Sequence, residues 1–173
     1  MKRILAVTAC ALLVASLSAG RQDTGDVEDV VPVSATIARQ RRATIKDGYL
    51  VVALLAQQDG RIDADARIET MSFSGLRRRL VAEGIVAESW SFDPAAGLER
   101  DVLAYMAASY LDIRPGLLTS LFGMTRRYAY REMQFRSLMV QGQPRQVVSG
   151  SELLSVMTRV AAEVDLRNAE KAK

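Results

Sequence analysis

Glu99, Arg100 and Asp101 form one short run, two carboxylates flanking a guanidinium, and Asp93 lies a few residues ahead of them. A pair of carboxylates can do acid–base work on a glycosidic bond when their separation is fixed. Acidic groups at the start of a helix are also favoured by its dipole, with no chemistry attached. The second account is the simpler one here, and the chain reads as non-catalytic. Histidine is absent, and Cys10 is the only cysteine. This composition excludes a Ser-His-Asp or Cys-His nucleophile and a zinc site in the mature chain, and it implies no cofactor. Asp59, Asp63 and Asp65 hint at a calcium loop. The glycine and closing glutamate of an EF-hand are not at their positions, so a solvated turn is expected.

Basic residues come in groups: Arg41-Arg42, Arg77-Arg78-Arg79 and Arg126-Arg127. Such groups can follow a phosphate backbone or an anionic surface. The formal net charge is only +3, and it falls towards neutral once Lys2 and Arg3 are lost with a leader. Exposed aromatics for base stacking are not evident, so nucleic acid is not an expected partner. Each group reads first as a solvated helix face, and second as a contact for anionic envelope polymers.

The elements that must position these residues are helical. Apolar content is 49% and aromatic content 6%, with aliphatic residues dominating. That composition suits helices packed through Ala, Leu and Val. The spacing predicts a helix from Ser34 through Arg41 and a buried one over Asp47–Ala56. Asp59-Gly60 marks a turn. Phe73, Leu76 and Leu80 predict a helix over Ser72–Glu83, ended by Gly84. Leu98–Leu111 is the next. Pro115 opens a segment that buries Leu117, Leu118, Leu121 and Phe122. Thr125–Met139 reads as amphipathic, with Met124, Tyr128, Phe135, Leu138 and Met139 inward. Ser149 or Ser151 caps a last helix, which frays into a charged tail at 169–173. The expected fold is an all-α domain over residues 34–168.

The start of the chain reads as an export signal over residues 1–20. Lys2 and Arg3 precede the apolar run Ile4–Leu17, and Ser18-Ala19-Gly20 offers small residues for cleavage. Val7-Thr8-Ala9-Cys10 also fits a lipidation motif, though only a short apolar run precedes Cys10. Residues 21–33 are polar and acidic, a linker. The membrane is therefore an expected partner only through the leader or a lipid anchor, and the expected location is the periplasm or cell envelope.

A helix ending in Gly84-Ile85-Val86, a loop with Trp90, Phe92 and Pro94, and a helix opening at Leu98-Glu99-Arg100 succeed one another. This order resembles one repeat of the S-layer homology family. A second helix start, Val148-Ser149-Gly150-Ser151-Glu152-Leu153, lies 50 positions after Leu98. In that register Leu103 meets Leu153 and Met106 meets Val156. A further segment from Thr44 suggests a first repeat, with Lys46 as the best match to Arg100. The resemblance implies two or three helix-loop-helix repeats with short irregular loops. It also implies attachment to wall polysaccharide or peptidoglycan, and a ligand contact from Arg100, where a guanidinium could grip an anionic sugar group at two points. Trp90 could stack on a sugar face, or simply pack in its loop, and Lys46 would take the arginine's place in the first repeat. Two departures stand out: Glu99 replaces the family's threonine, and Gly150 stands where an arginine belongs. Arg100 could alternatively pair with Glu99 or Asp101. The alternative function is a helical module whose partner is another protein.

Overall fold

The computed structural model describes residues 33–113 and 124–171. The leader, Cys10, most of the acidic linker, and the segment after Pro115 with Leu117, Leu118, Leu121 and Phe122 lie outside the described residues. The protein is all-α, with six α-helices and no strand among the described residues: α1 Val33–Ala38, α2 Ile45–Gln58, α3 Phe73–Ala82, α4 Arg100–Tyr110, α5 Arg126–Phe135 and α6 Gly150–Lys171. A 3-10 turn at Ile68–Thr70 separates α2 from α3.

Local chemistry sets the helix ends. Thr44 and Asp47 form a reciprocal capping box at α2, satisfying two backbone donors at once. Ser72 caps α3, Thr125 caps α5, and the Ser149 hydroxyl accepts from the Glu152 N–H at the start of α6. The stops share one form. Gly84 (φ 68°) ends the α3 turn and Ser137 (φ 58°) ends the α5 turn in the left-handed region. The next residue then folds back: Ile85 N–H reaches Leu80 O at 2.9 Å, and Leu138 N–H reaches Met133 O at 2.9 Å. Ser137 in this position explains why the Gly-Ile-Val signal is hard to see a second time.

The helices make three helix-loop-helix units: α1 with α2, α3 with α4, and α5 with α6. Their packing is cyclic. The first helix of each unit lies on the second helix of another: α3 on α2, α5 on α4, and α1 on α6. Helices α2, α4 and α6 meet one another within this ring. The backbone repeats the order. Leu98 N–H donates to Ala43 O, Val148 N–H to Leu98 O, and Ala43 N–H to Val148 O, each at 2.9 Å. All three residues are fully buried. One layer further out, a Cβ on Gly97 would sit 2.8 Å from Val147 and 3.3 Å from Arg42, so the three preceding residues also converge.

This ring fixes the register. Ile45 N–H donates to Ala96 O, Arg100 N–H to Gln146 O and Gly150 N–H to Gln40 O, at 2.9, 3.0 and 3.0 Å. Lys46 N–H donates to Pro94 O and Asp101 N–H to Pro144 O, at 3.1 and 2.9 Å. Ile45, Arg100 and Gly150 are therefore equivalent, as are Lys46 and Asp101. Matching Lys46 to Arg100 was one residue out of register. The physical reason is that the true equivalent, Ile45, is apolar and buried, so a search for a basic residue slides past it.

The core runs through all three units and includes Tyr49, Leu76, Leu80, Leu98, Leu103, Met106 and Leu153, each essentially inaccessible. Each such aliphatic side chain contributes on the order of 1.5–3 kcal/mol by leaving water. Two expected inward residues are not inward: Phe135 is 85% exposed and Tyr128 43%. Helix α5 stops at Phe135, earlier than Met139, so its last turn does not carry Phe135 over the core. Leu138 and Met139 are buried as expected, but from the turn that follows.

Candidate functional site

A concave surface lies where the second and third units meet. Asp101 from the start of α4, six residues from α5 and its cap, and the Gly142–Arg145 loop line a space of about 830 Å³. The chain builds this cleft from three local features. Helix α5 places Arg127 and Arg131 one turn apart, and Arg126 and Tyr130 likewise. The Tyr130 hydroxyl donates to Gly142 O at 2.7 Å, tying the loop to α5. The Pro144 and Gln146 carbonyls accept from the first N–H groups of α4, which ties the same loop to the second unit.

The cleft is basic. Arg126, Arg127, Arg131 and Arg145 all line it. Arg127, Arg131 and Arg145 are exposed and form no ion pair with a described residue. The first turn of α5 carries no acidic residue, although the helix dipole favours one there. Two arginines at that end add to the positive potential of the free N–H groups. Arg126 is partly neutralised, with Nη1 3.5 Å from Glu99 Oε2 and Nε 3.5 Å from Asp101 Oδ2. Asp101 is the buried acid of the cleft. It is 7% exposed, and its Oδ1 has no hydrogen-bond partner among the described residues.

Arg100 stands behind this cleft, not in it. Its Nε and Nη2 form a two-point contact with Glu152, at 2.7 Å to Oε1 and 3.1 Å to Oε2. Its Nη1 donates to Gln146 Oε1 at 2.8 Å. The Glu152 contact, opposed by burial, raises the guanidinium pKa further above its ordinary value. A Cβ on Gly142 would lie 1.7 Å from Arg100 Nη1, so the loop closes directly over the group. Arg100 therefore pairs with Glu152 across a unit boundary, and Glu99 and Asp101 are occupied with Arg126.

Trp90 is half-buried. Its ring lies 5.1 Å from Phe92, edge-on, and 4.8 Å from Tyr105. Its carbonyl accepts from Arg77 Nε at 2.9 Å. Arg77 thus holds the loop of the second unit as Tyr130 holds that of the third, and Trp90 packs in its own loop. Lys46 is exposed at the start of α2. The three residues do not converge: Arg100 takes its partners from the third unit, while Trp90 packs within the second.

Sequence reasoning singled out Arg126-Arg127 but passed over Arg131 and Arg145. Arg131 was within reach, because Arg127 and Arg131 are four apart in a predicted helix. Arg145 was not, since only the return of the loop to α4 brings it to the cleft.

Comparison with known proteins finds no match: no family model, curated protein or solved structure matches the chain.

Proposed function

We propose that the protein is an exported, non-catalytic module of the cell envelope that holds an anionic wall glycan in the cleft between α4 and α5. The observation that carries this reading is the group of three exposed arginines, Arg127, Arg131 and Arg145, in one concave surface and without an ion pair among the described residues. Guanidinium groups bind carboxylate and phosphate through paired N–H donors, and wall polymers present both repeatedly. The cyclic three-unit arrangement supports a likeness to S-layer homology modules, as does the run Gly84-Ile85-Val86, Phe92, Pro94, Leu98. The ligand contact moves from Arg100, Trp90 and Lys46 to the α5 arginines. Glu99 and Asp101 act as ion-pair partners of Arg126 and not as a catalytic pair.

The test is co-sedimentation of the full chain with purified cell-wall sacculi. Wild type is expected to bind saturably, and more weakly as salt is raised, since exposed charges are screened within about 10 Å at 0.1 M. The double variant Arg127→Ala/Arg131→Ala is expected to lose about tenfold or more in affinity, roughly 1.4 kcal/mol. Salt-insensitive binding that the variant leaves unchanged would sink the reading.

A second reading, a protein-binding module, draws on the exposure of Phe135 at 85% and Val140 at 58%. Replacing both with serine would weaken a protein complex and leave binding to sacculi unchanged.

A further inference from the structure

Asp101 is an unexpected residue for a cleft that binds anions. A carboxylate there repels an incoming carboxylate or phosphate. It is also held out of water, at 7% exposed: Oδ2 faces Arg126 at 3.5 Å, and Oδ1 has no hydrogen-bond partner among the described residues. A buried carboxylate oxygen without a donor is costly, because it has lost its hydration and gained nothing in return. Arg126 lies loosely against it, at the long end of ion-pair distance and about one-third exposed, so it can turn towards a ligand.

We propose that Asp101 is the specificity-determining acceptor of this cleft. Its carboxylate, uncovered when Arg126 turns to the ligand, takes a hydrogen bond from a hydroxyl or amide N–H that neighbours the ligand's anionic group. The inference rests on the anionic-glycan reading and narrows it. The ligand is an acidic sugar unit, with a carboxylate or phosphate gripped by Arg126, Arg127 or Arg131 and a hydroxyl or amide donor on the neighbouring sugar ring. A bare anion satisfies the arginines but leaves Asp101 unpaired and repelling. An acidic sugar satisfies both, and a bond from its donor to an ionised acceptor is about twice as strong as a neutral one. Discrimination of this kind comes from the group that a wrong ligand leaves unsatisfied. At the equivalent positions the first unit carries Lys46 and the third Ser151, both exposed and neither a carboxylate.

The experiment is calorimetric titration of the full chain with three probes: N-acetylmuramic acid, its derivative methylated at every hydroxyl and at the amide nitrogen with the carboxylate left free, and sodium sulfate. The first carries a carboxylate with donors, the second a carboxylate without donors, the third an anion without donors. Wild type is expected to prefer the first over the second by about tenfold. Asp101→Asn is expected to reduce that preference to about twofold or less and to bind sulfate more tightly than wild type does. Equal affinity of wild type for the two sugar acids overturns the role of Asp101 while leaving the arginine cleft standing. Failure of wild type to bind any of the three probes overturns the cleft itself, and this inference with it. The comparison of the two sugar acids uses wild type only, so it holds even if the variant fails to fold.

Discussion

Arg100 and Glu152, 52 residues apart, grip each other at two points across the boundary between the second and third units. The ring of backbone hydrogen bonds makes Ile45 and Val102 the equivalent residues at the boundary between the first and second units, and both are buried apolar side chains. At the boundary between the third and first units the same positions are Gly150 and Asp47. One architecture is thus closed in three chemical ways: an ion pair, an apolar pair, and a glycine beside an acid committed to its own helix cap.

The ion pair should be replaceable by its apolar counterpart. Arg100 and Glu152 side chains are only 12% and 21% exposed, so removing one partner strands the other in poor solvent. Arg100→Ile and Glu152→Val are each expected to cost about 2–3 kcal/mol, somewhat below the range for fully buried pairs. The double variant Arg100→Ile/Glu152→Val, which copies the first boundary, is expected to recover most of that loss. Urea unfolding of the four proteins as a double-mutant cycle checks this. Additive losses would mean that the two side chains are not coupled.

Gly150 closes the third boundary because nothing larger fits. A Cβ there would lie 1.7 Å from the backbone carbonyl oxygen of Ile37, and a backbone atom cannot rotate away. Gly150→Ala is expected to destabilise by about 1–3 kcal/mol, as overpacking does elsewhere. It should loosen α1 first, since α1 packs on α6. Hydrogen exchange that accelerates in α1 before the other helices would show this. Uniform acceleration would mean that the clash is absorbed elsewhere.

Alkali should weaken the fold over a defined range. The Tyr49 hydroxyl is buried without a hydrogen-bond partner among the described residues, and burial, only partly offset by Arg77, pushes its pKa up to about 12. The unfolded chain releases this proton near pH 10. Between these values the unfolded state binds fewer protons than the folded one, so stability falls as pH rises through that window. Tyr110, held protonated by burial and by its hydrogen bond to Asp59, acts in the same direction. Tyr49→Phe removes an unsatisfied buried hydroxyl. It is expected to be neutral or slightly stabilising at pH 7 and to flatten the loss of stability above pH 10, as followed by thermal melts across pH.

Much of the fold was legible because helix signals are local. Ser72, Thr125 and Ser149 announce their helices, Gly84 stops one, and Leu98 and Val148 lie at the offset that the backbone ring follows. The first unit was harder to align. Ile45, the match to Arg100, is apolar, and Ala43 carries none of the bulk of Leu98 or Val148. The cleft was less legible still, because it depends on what crosses between units. Nothing in the sequence pairs Arg100 with Glu152 instead of the adjacent Glu99 or Asp101. That pairing engages Arg100 and leaves Arg127 and Arg131 of α5 without an ion pair among the described residues. The exposure of Phe135 turned on where α5 ends, a boundary of a few residues that periodicity does not fix.

Tyr130 should control the cleft without being needed for the fold. Its ring is buried, and its hydroxyl donates to the carbonyl of exposed Gly142 and lies against the Arg100 guanidinium. Tyr130→Phe keeps the packing and leaves that carbonyl to water, so the expected cost in stability is about 0.5–1.5 kcal/mol. The larger effect falls on the loop. Gly142–Arg145 is fixed at one end by this bond and at the other by the Pro144 and Gln146 carbonyls on α4. Releasing one tie lets Arg145 range over more positions, and ordering it again opposes binding. Affinity for sacculi is therefore expected to fall severalfold in Tyr130→Phe, with a near-native melting temperature. In an Arg145→Ala background the same change should matter much less, because the side chain that it positions is gone. Equal losses in both backgrounds would mean that Tyr130 acts on the cleft by some route other than Arg145.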